Sequence, residues 1–179
     1  MLLSLAATAS AMSGQPTLDE FEAVLRRHDS ATLALEEWCS SRGIADPARI
    51  TAQSVSAAGN DPPRSMRSKL DLDPGETFAM RNVELRCGQT VLSVAWNWYV
   101  PSRLTPEMNE TLRRSDTPFG KVVAPLRFRR RPLEIVPGRA ENCPKGTIST
   151  HLAMLVLPDG RPLAYLIECY TTANLAGRR

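Results

Sequence analysis

Apolar positions recur along this chain with two different periods. Leu18, Phe21, Val24 and Leu25 fall at helical spacing, and Thr17 with Glu20 has the form of a capping box. A helix is therefore predicted over 17–27. A second is predicted through Leu33 to Cys39, with Asp29 or Ser30 as its N-cap and Gly43 as its stop. Residues 49–57 read as a strand and 60–65 as a loop. From Glu76 the period becomes that of strands. Residues 76–86, a turn at Cys87-Gly-Gln89 and residues 90–100 predict a hairpin. A short helix over 105–114 opens with Pro106 in its first turn, and Thr117-Pro-Phe-Gly120 is a turn. Strands follow at about 128–136, 149–157 and 161–172, the last two joined by Asp159-Gly160. Helices followed by sequential strands predict an α+β fold. Its expected form is a single antiparallel sheet of about six strands with helices packed on one face.

Three charges interrupt this pattern. Side chains alternate faces along a strand. Arg81 thus shares a face with Ala79, Val83 and Leu85, and Glu168 with Ala164, Leu166 and Tyr170. In the basic run Arg127-Phe-Arg-Arg-Arg131, alternation puts Arg127, Arg129 and Arg131 on one face and leaves Arg130 with Phe128 on the apolar one. An inward charge must be paired or serve a purpose, because a dry, isolated charge costs several kcal/mol or more. Three readings are open at this point. Arg81 and Glu168 pair with each other, or their strands lie at an edge where they reach water, or they hold a small, polar, anionic ligand.

The remaining features narrow the field. The 179 residues, 42% hydrophobic and 23% charged, suit one globular domain over 17–175, preceded by a flexible or signal-like segment over 1–16. That segment is apolar through Met12 and carries Ala9-Ser-Ala11, but it lacks a basic start. A cytoplasmic protein is expected, or one exported to the periplasm if this is a signal peptide. No apolar run is long enough to cross a membrane. A net charge of +3 suits small anions as well as nucleic acid. The basic run reads as a solvated strand face, so no nucleic-acid partner is expected. Cys39, Cys87, Cys143 and Cys169 form no metal-ligand spacing, and buried thiols and bridges are both open. The two histidines, His28 and His151, join no nucleophile elbow, and His151 reads as a hydrogen-bonded structural residue. Trp96 and Trp98 share one strand face and read as core. The Pro-x-Gly turn at 118–120 exposes backbone N–H groups that suit a carboxylate.

Taken in order, Asp29-Ser-Ala-Thr32, Arg81, Thr117-Pro-Phe-Gly120, Leu133-Glu-Ile135 and Pro162-Leu163 with Glu168 resemble the chorismate pyruvate-lyase family over about 140 residues. The resemblance implies an antiparallel sheet with helices on one side. It also implies elimination of pyruvate from chorismate to give 4-hydroxybenzoate, a step in ubiquinone biosynthesis. In that family the buried arginine, matched by Arg81, binds the ring carboxylate, assisted by a backbone N–H that maps to Phe119. The strand glutamate, matched by Glu168, and a carbonyl that maps to Ala31 contact the ring hydroxyl. Arg130 is added as a second inward cation. The cyclic elimination needs orientation and charge stabilisation in a dry pocket, so neither cofactor nor metal is implied. Arg81 and Glu168 are then the candidate catalytic residues. Ala31, Arg81, Phe119, Arg130 and Glu168 are the candidate binding residues, in a monomer or weak dimer. This chain has Phe119 where the family often has Leu, and Ala31 where it has Met. It also departs over 60–67 and 136–147. These departures bear more on turnover than on binding. Some bacterial transcription regulators carry effector domains of a similar fold that bind small molecules without catalysis, and this is the alternative function.

Overall fold

The computed structural model describes residues 14–55, 62 and 64–177. The signal-like segment through residue 13, the expected end of the first strand and half of the 60–65 loop lie outside the described residues. Helix α1 spans Leu18–Arg26, and Thr17 and Glu20 close its N-terminus as a reciprocal capping box. Helix α2 spans Ala31–Arg42 and ends at Gly43, whose φ of +62° is the left-handed conformation glycine adopts without a Cβ clash. Strand β1 (Ile50–Ser54) and the one-turn helix α3 (Met66–Lys69) precede the hairpin of β2 (Ala79–Cys87) and β3 (Thr90–Tyr99). Then come α4 (Pro106–Arg114), α5 (Phe119–Val122), β4 (Arg129–Pro137), β5 (Thr147–Val156) and β6 (Pro162–Thr171). Helix α3 was not predicted, because a single turn shows no period.

The six strands form one sheet in the order β1-β2-β3-β6-β5-β4, and every pairing is antiparallel. The sheet is not one continuous meander. The β4-β5-β6 unit folds back so that its last strand, β6, docks on β3, leaving β4 at the far edge. The segment between β3 and β4 carries α4 and α5 onto one face of the sheet.

That face holds two of the three core clusters. Phe21 and Val24 of α1 with Leu35 and Trp38 of α2 pack on Val83, Leu85, Ala95 and Tyr170. Leu112 of α4 with Phe119 of α5 and Val123 just past it packs on Tyr99, Ala153, Leu155 and Leu166. The main helices thus pack on one face, as expected, and the opposite face is not bare. Met66 and Leu70, at and just past α3, and Cys143 cover Trp96, Trp98, Tyr165 and Ile167 there. The two tryptophans are core, as their shared face predicts.

The cysteines pair across both faces. Cys39 of α2 meets Cys87 at the end of β2, with Cα atoms 6.3 Å apart, and Cys143 meets Cys169 of β6 at 5.6 Å. Both separations lie in the disulfide range. They settle in favour of bridges what the spacing left open.

Candidate functional site

Register brings the inward charges to one face. Across β2, β3 and β6, Arg81 stands opposite Asn97, Asn97 opposite Leu166, and Ala95 opposite Glu168. Glu168 in turn stands opposite His151 on β5, and Arg130 of β4 opposite Leu155. Arg81, Glu168 and Arg130 thus all point to the side covered by α1, α2, α4 and α5. None of these three groups lies open to water as an edge-strand charge. Arg81 is 9% exposed and Glu168 is 3% exposed, and the Arg130 side chain is 10% exposed.

Arg81 and Glu168 do not pair. Arg130 takes the carboxylate through a two-pronged contact: its Nη1 donates to Oε1 at 3.2 Å and its Nη2 to Oε2. Tyr170 Oη adds a hydrogen bond to Oε2 at 3.1 Å. Burial works against the charged form of Arg130, but the Glu168 carboxylate outweighs it and holds the guanidinium firmly protonated. Burial, then Glu168, pushes the Tyr170 hydroxyl well above its ordinary value, so it stays a donor. Arg81 has a different environment. Its Nη1 donates to Thr117 O at 3.1 Å and its Nη2 to Ser115 O at 3.3 Å. Among the described residues no carboxylate lies within ion-pair distance of it. Burial pulls its guanidinium below the ordinary arginine value, with only the nearby Tyr99 acting in the opposite sense.

A cavity lies between the sheet and the helix starts. Ser30, Ala31 and Thr32 at the head of α2, Phe119 and Gly120 of α5, Arg130 and Glu168 all line it, over an apolar floor that includes Leu85, Ala95 and Leu166. The structure thus brings Ala31, Phe119, Arg130 and Glu168 together. Arg81 stands just outside the lining, its guanidinium turned to the segment that leads into α5. The cavity is tight, about 30 Å3, room for about two waters. Arg130 and Asp29 also line a larger neighbouring cavity of about 180 Å3, between the α1–α2 turn and β4, with His151 and Ile135 in its wall. Asp29 Oδ1 accepts from the Arg130 amide at 3.1 Å, which ties that turn to the edge strand.

His151 is hydrogen-bonded, as read: its Nε2 lies 2.9 Å from Glu22 Oε1, which also accepts from Ser149 Oγ at 2.6 Å. Burial pushes Glu22 up, but the bonds from His151 and Ser149 outweigh it and leave the carboxyl below its usual value. The sequence reading missed Glu22, though its spacing of four residues from Leu18 and three from Leu25, which puts it on their apolar face, was the available sign. Ser30, Thr32 and Asn97 were also missed as lining residues. Among the described residues no group of three or more His, Cys, Asp or Glu side chains is placed to hold a metal. No helix among them is long and apolar enough to cross a membrane.

Solved structures share this architecture at low identity. The effector domain of PhnF from Mycobacterium smegmatis superimposes with a TM-score of 0.54 at 12% identity, covering 80% of this chain and 88% of that one. The ligand-binding domain of a GntR-family transcriptional regulator from Bordetella bronchiseptica does so with a TM-score of 0.50 at 16% identity, covering 73% and 88%. The fold is thus the α+β, chorismate lyase-like fold. No protein-family model matches the chain. A relative does: protein y4mC of Sinorhizobium fredii is 36% identical over 175 residues, covering 86% of this chain and 73% of the relative. On that identity and coverage, the chain belongs to the same family as y4mC of Sinorhizobium fredii.

Proposed function

We propose that this protein binds a small aromatic carboxylate, without turning it over, between the sheet and the head of α2. One observation carries the reading: Arg81 is a buried guanidinium whose acceptors are two carbonyls and no carboxylate. A cation taken out of water without a counter-ion is costly, and an arriving carboxylate relieves that cost. It suits the planar guanidinium in a bidentate geometry. The ligand's ring lies over Leu85, Ala95 and Leu166, and its far end meets Arg130, Glu168 and the α2 turn. Binding requires the Thr117–Gly120 turn to yield, because Thr117 O now occupies one Arg81 donor. The same movement supplies room beyond the present cavity, because Phe119 and Gly120 line it. GntR-family ligand-binding domains of this fold make a binding role the natural comparison.

The second reading is a chorismate pyruvate-lyase. It is favoured by Arg81 and Glu168 standing on one covered face, as the resemblance implies. Against it, both Glu168 oxygens are already engaged by Arg130 and Tyr170, which leaves no free carboxylate to act as a base. Titration calorimetry with 4-hydroxybenzoate, and chorismate incubation read by pyruvate release, separate the two. Binding with no pyruvate above background is expected. Stoichiometric 4-hydroxybenzoate and pyruvate, undiminished by EDTA, would establish the lyase. Absence of any binding would remove both.

A further inference from the structure

Residues 115–117, between α4 and α5, are tied to the sheet by their backbone carbonyls. Ser115 and Thr117 accept from the Arg81 guanidinium. Asp116, between them, accepts from the Ala52 amide of β1 at 2.6 Å. One short strip thus touches both the buried cation and the rim of the sheet.

That rim needs a cover. Strand β1 ends the sheet and pairs with β2 on one side alone. The free side of an edge strand presents unpaired amides, which native sheets blunt or cover. On β1 the Ile50 amide is taken by Glu36 Oε1 of α2 at 3.0 Å, and the Ala52 amide by Asp116 O. The two covers differ in kind. Glu36 belongs to a helix packed in the core, whereas Ser115 and Asp116 are exposed. An exposed strip buries little apolar surface that would hold it in place. The bonds from Arg81 supply the hold.

We infer that Arg81 is the latch that keeps residues 115–117 over the β1 edge, and that a carboxylate taking its guanidinium uncovers that edge at Ala52. The inference rests on the binding proposed above, in which the same guanidinium turns to the ligand. Its two carbonyl partners are then released together, and the bond from Ala52 is left to hold the strip. Occupancy of a buried site is thereby reported at the surface, as a freed strand edge. Ile50, held by Glu36, stays covered in both states.

Amide hydrogen exchange resolved to single residues tests this, with Ile50 as the internal reference. Saturating 4-hydroxybenzoate is expected to speed exchange at Ala52 by about tenfold, the size of one net hydrogen bond. Ile50 should exchange as slowly as before or more slowly. Arg81→Met, which keeps the length of the side chain and donates nothing, should speed Ala52 alone by a similar factor without ligand. If that variant fails to fold, the response of the parent to ligand decides. Ala52 exchange that stays level or slows at saturation, with binding confirmed by calorimetry, overturns the inference and leaves the binding in place. A folded Arg81→Met protein in which Ala52 stays protected overturns it too. No binding of 4-hydroxybenzoate removes the binding reading and, with it, ligand control of the edge.

Discussion

Arg81 and Glu168 look alike in sequence, as lone charges in apolar strands, yet their partners give them different work. Arg81 holds only carbonyls. Arg81→Ala should weaken 4-hydroxybenzoate binding by about 2–4 kcal/mol, the range for losing one partner of a buried charged pair. Arg81→Lys should weaken it too, because a single ammonium cannot match both carboxylate oxygens. Calorimetry on the three proteins measures this, and parental affinity in Arg81→Ala would place the carboxylate elsewhere. Glu168 is already satisfied, so its removal speaks first to stability. Glu168→Gln strips the counter-ion from a side chain that is 10% exposed. It should destabilise the fold by about 3 kcal/mol, as expected when a buried pair loses one member. Urea denaturation would show this as a lowered midpoint at unchanged slope. These charges were legible in the sequence because strand alternation assigns a face. Their partners were not, since the Arg130–Glu168 contact depends on which strands pair.

At the scale of elements, a further arginine organises the end of the sheet where β2 and β6 begin, and nothing in the sequence marked it. Arg103 follows β3 in a Pro-Ser-Arg turn, where no period applies and a charge reads as solvated. Its side chain is 2% exposed. It donates to Leu70 O at 2.8 Å and Asp71 O at 2.7 Å, just past α3, to Pro162 O at the start of β6, and to Glu76. One guanidinium thus ties α3, the approach to β2 and the first residue of β6. Arg103→Met leaves those carbonyls without a donor and should cost more than about 2 kcal/mol, since each buried orphan costs about 1–3 kcal/mol. The same contact makes stability depend on acid. Hydrogen bonds from Arg103, Ser102 and the Asp73 amide lower Glu76 from its usual value to about 2. A depressed carboxyl contributes stability above its unfolded value and loses it as pH falls through the folded one. The gap in denaturation midpoint between parent and Glu76→Gln should therefore be full near neutrality, shrink between about pH 4.5 and pH 2, and close below that. A gap that does not change with pH would show that the Glu76 contact is not ionic.

For the whole molecule, the sequence conveyed the class and most strand positions but not the order in which strands join. Turn residues mark local hairpins such as Asp159-Gly160, whereas the β3–β6 pairing spans some seventy residues and leaves no local trace. The bridges are long-range in the same way. Cys39–Cys87 closes a separation of 48 residues and Cys143–Cys169 one of 26. They lie in the cores of opposite faces, one fastening α2 to β2 beneath the candidate site, the other fastening the β4–β5 connection to β6. By the chain-entropy model each should stabilise the fold by about 3–4 kcal/mol. Such bonds persist in oxidising compartments and are rare in a reducing cytosol. Protein isolated from its native cell, alkylated at once and then unfolded, should yield no free thiol by mass spectrometry. Reductant should lower its urea midpoint substantially. Replacing Cys39 and Cys87 with serine should lower it by about half of the combined effect. Four alkylated cysteines in the native material would show that the pairs are packed thiols.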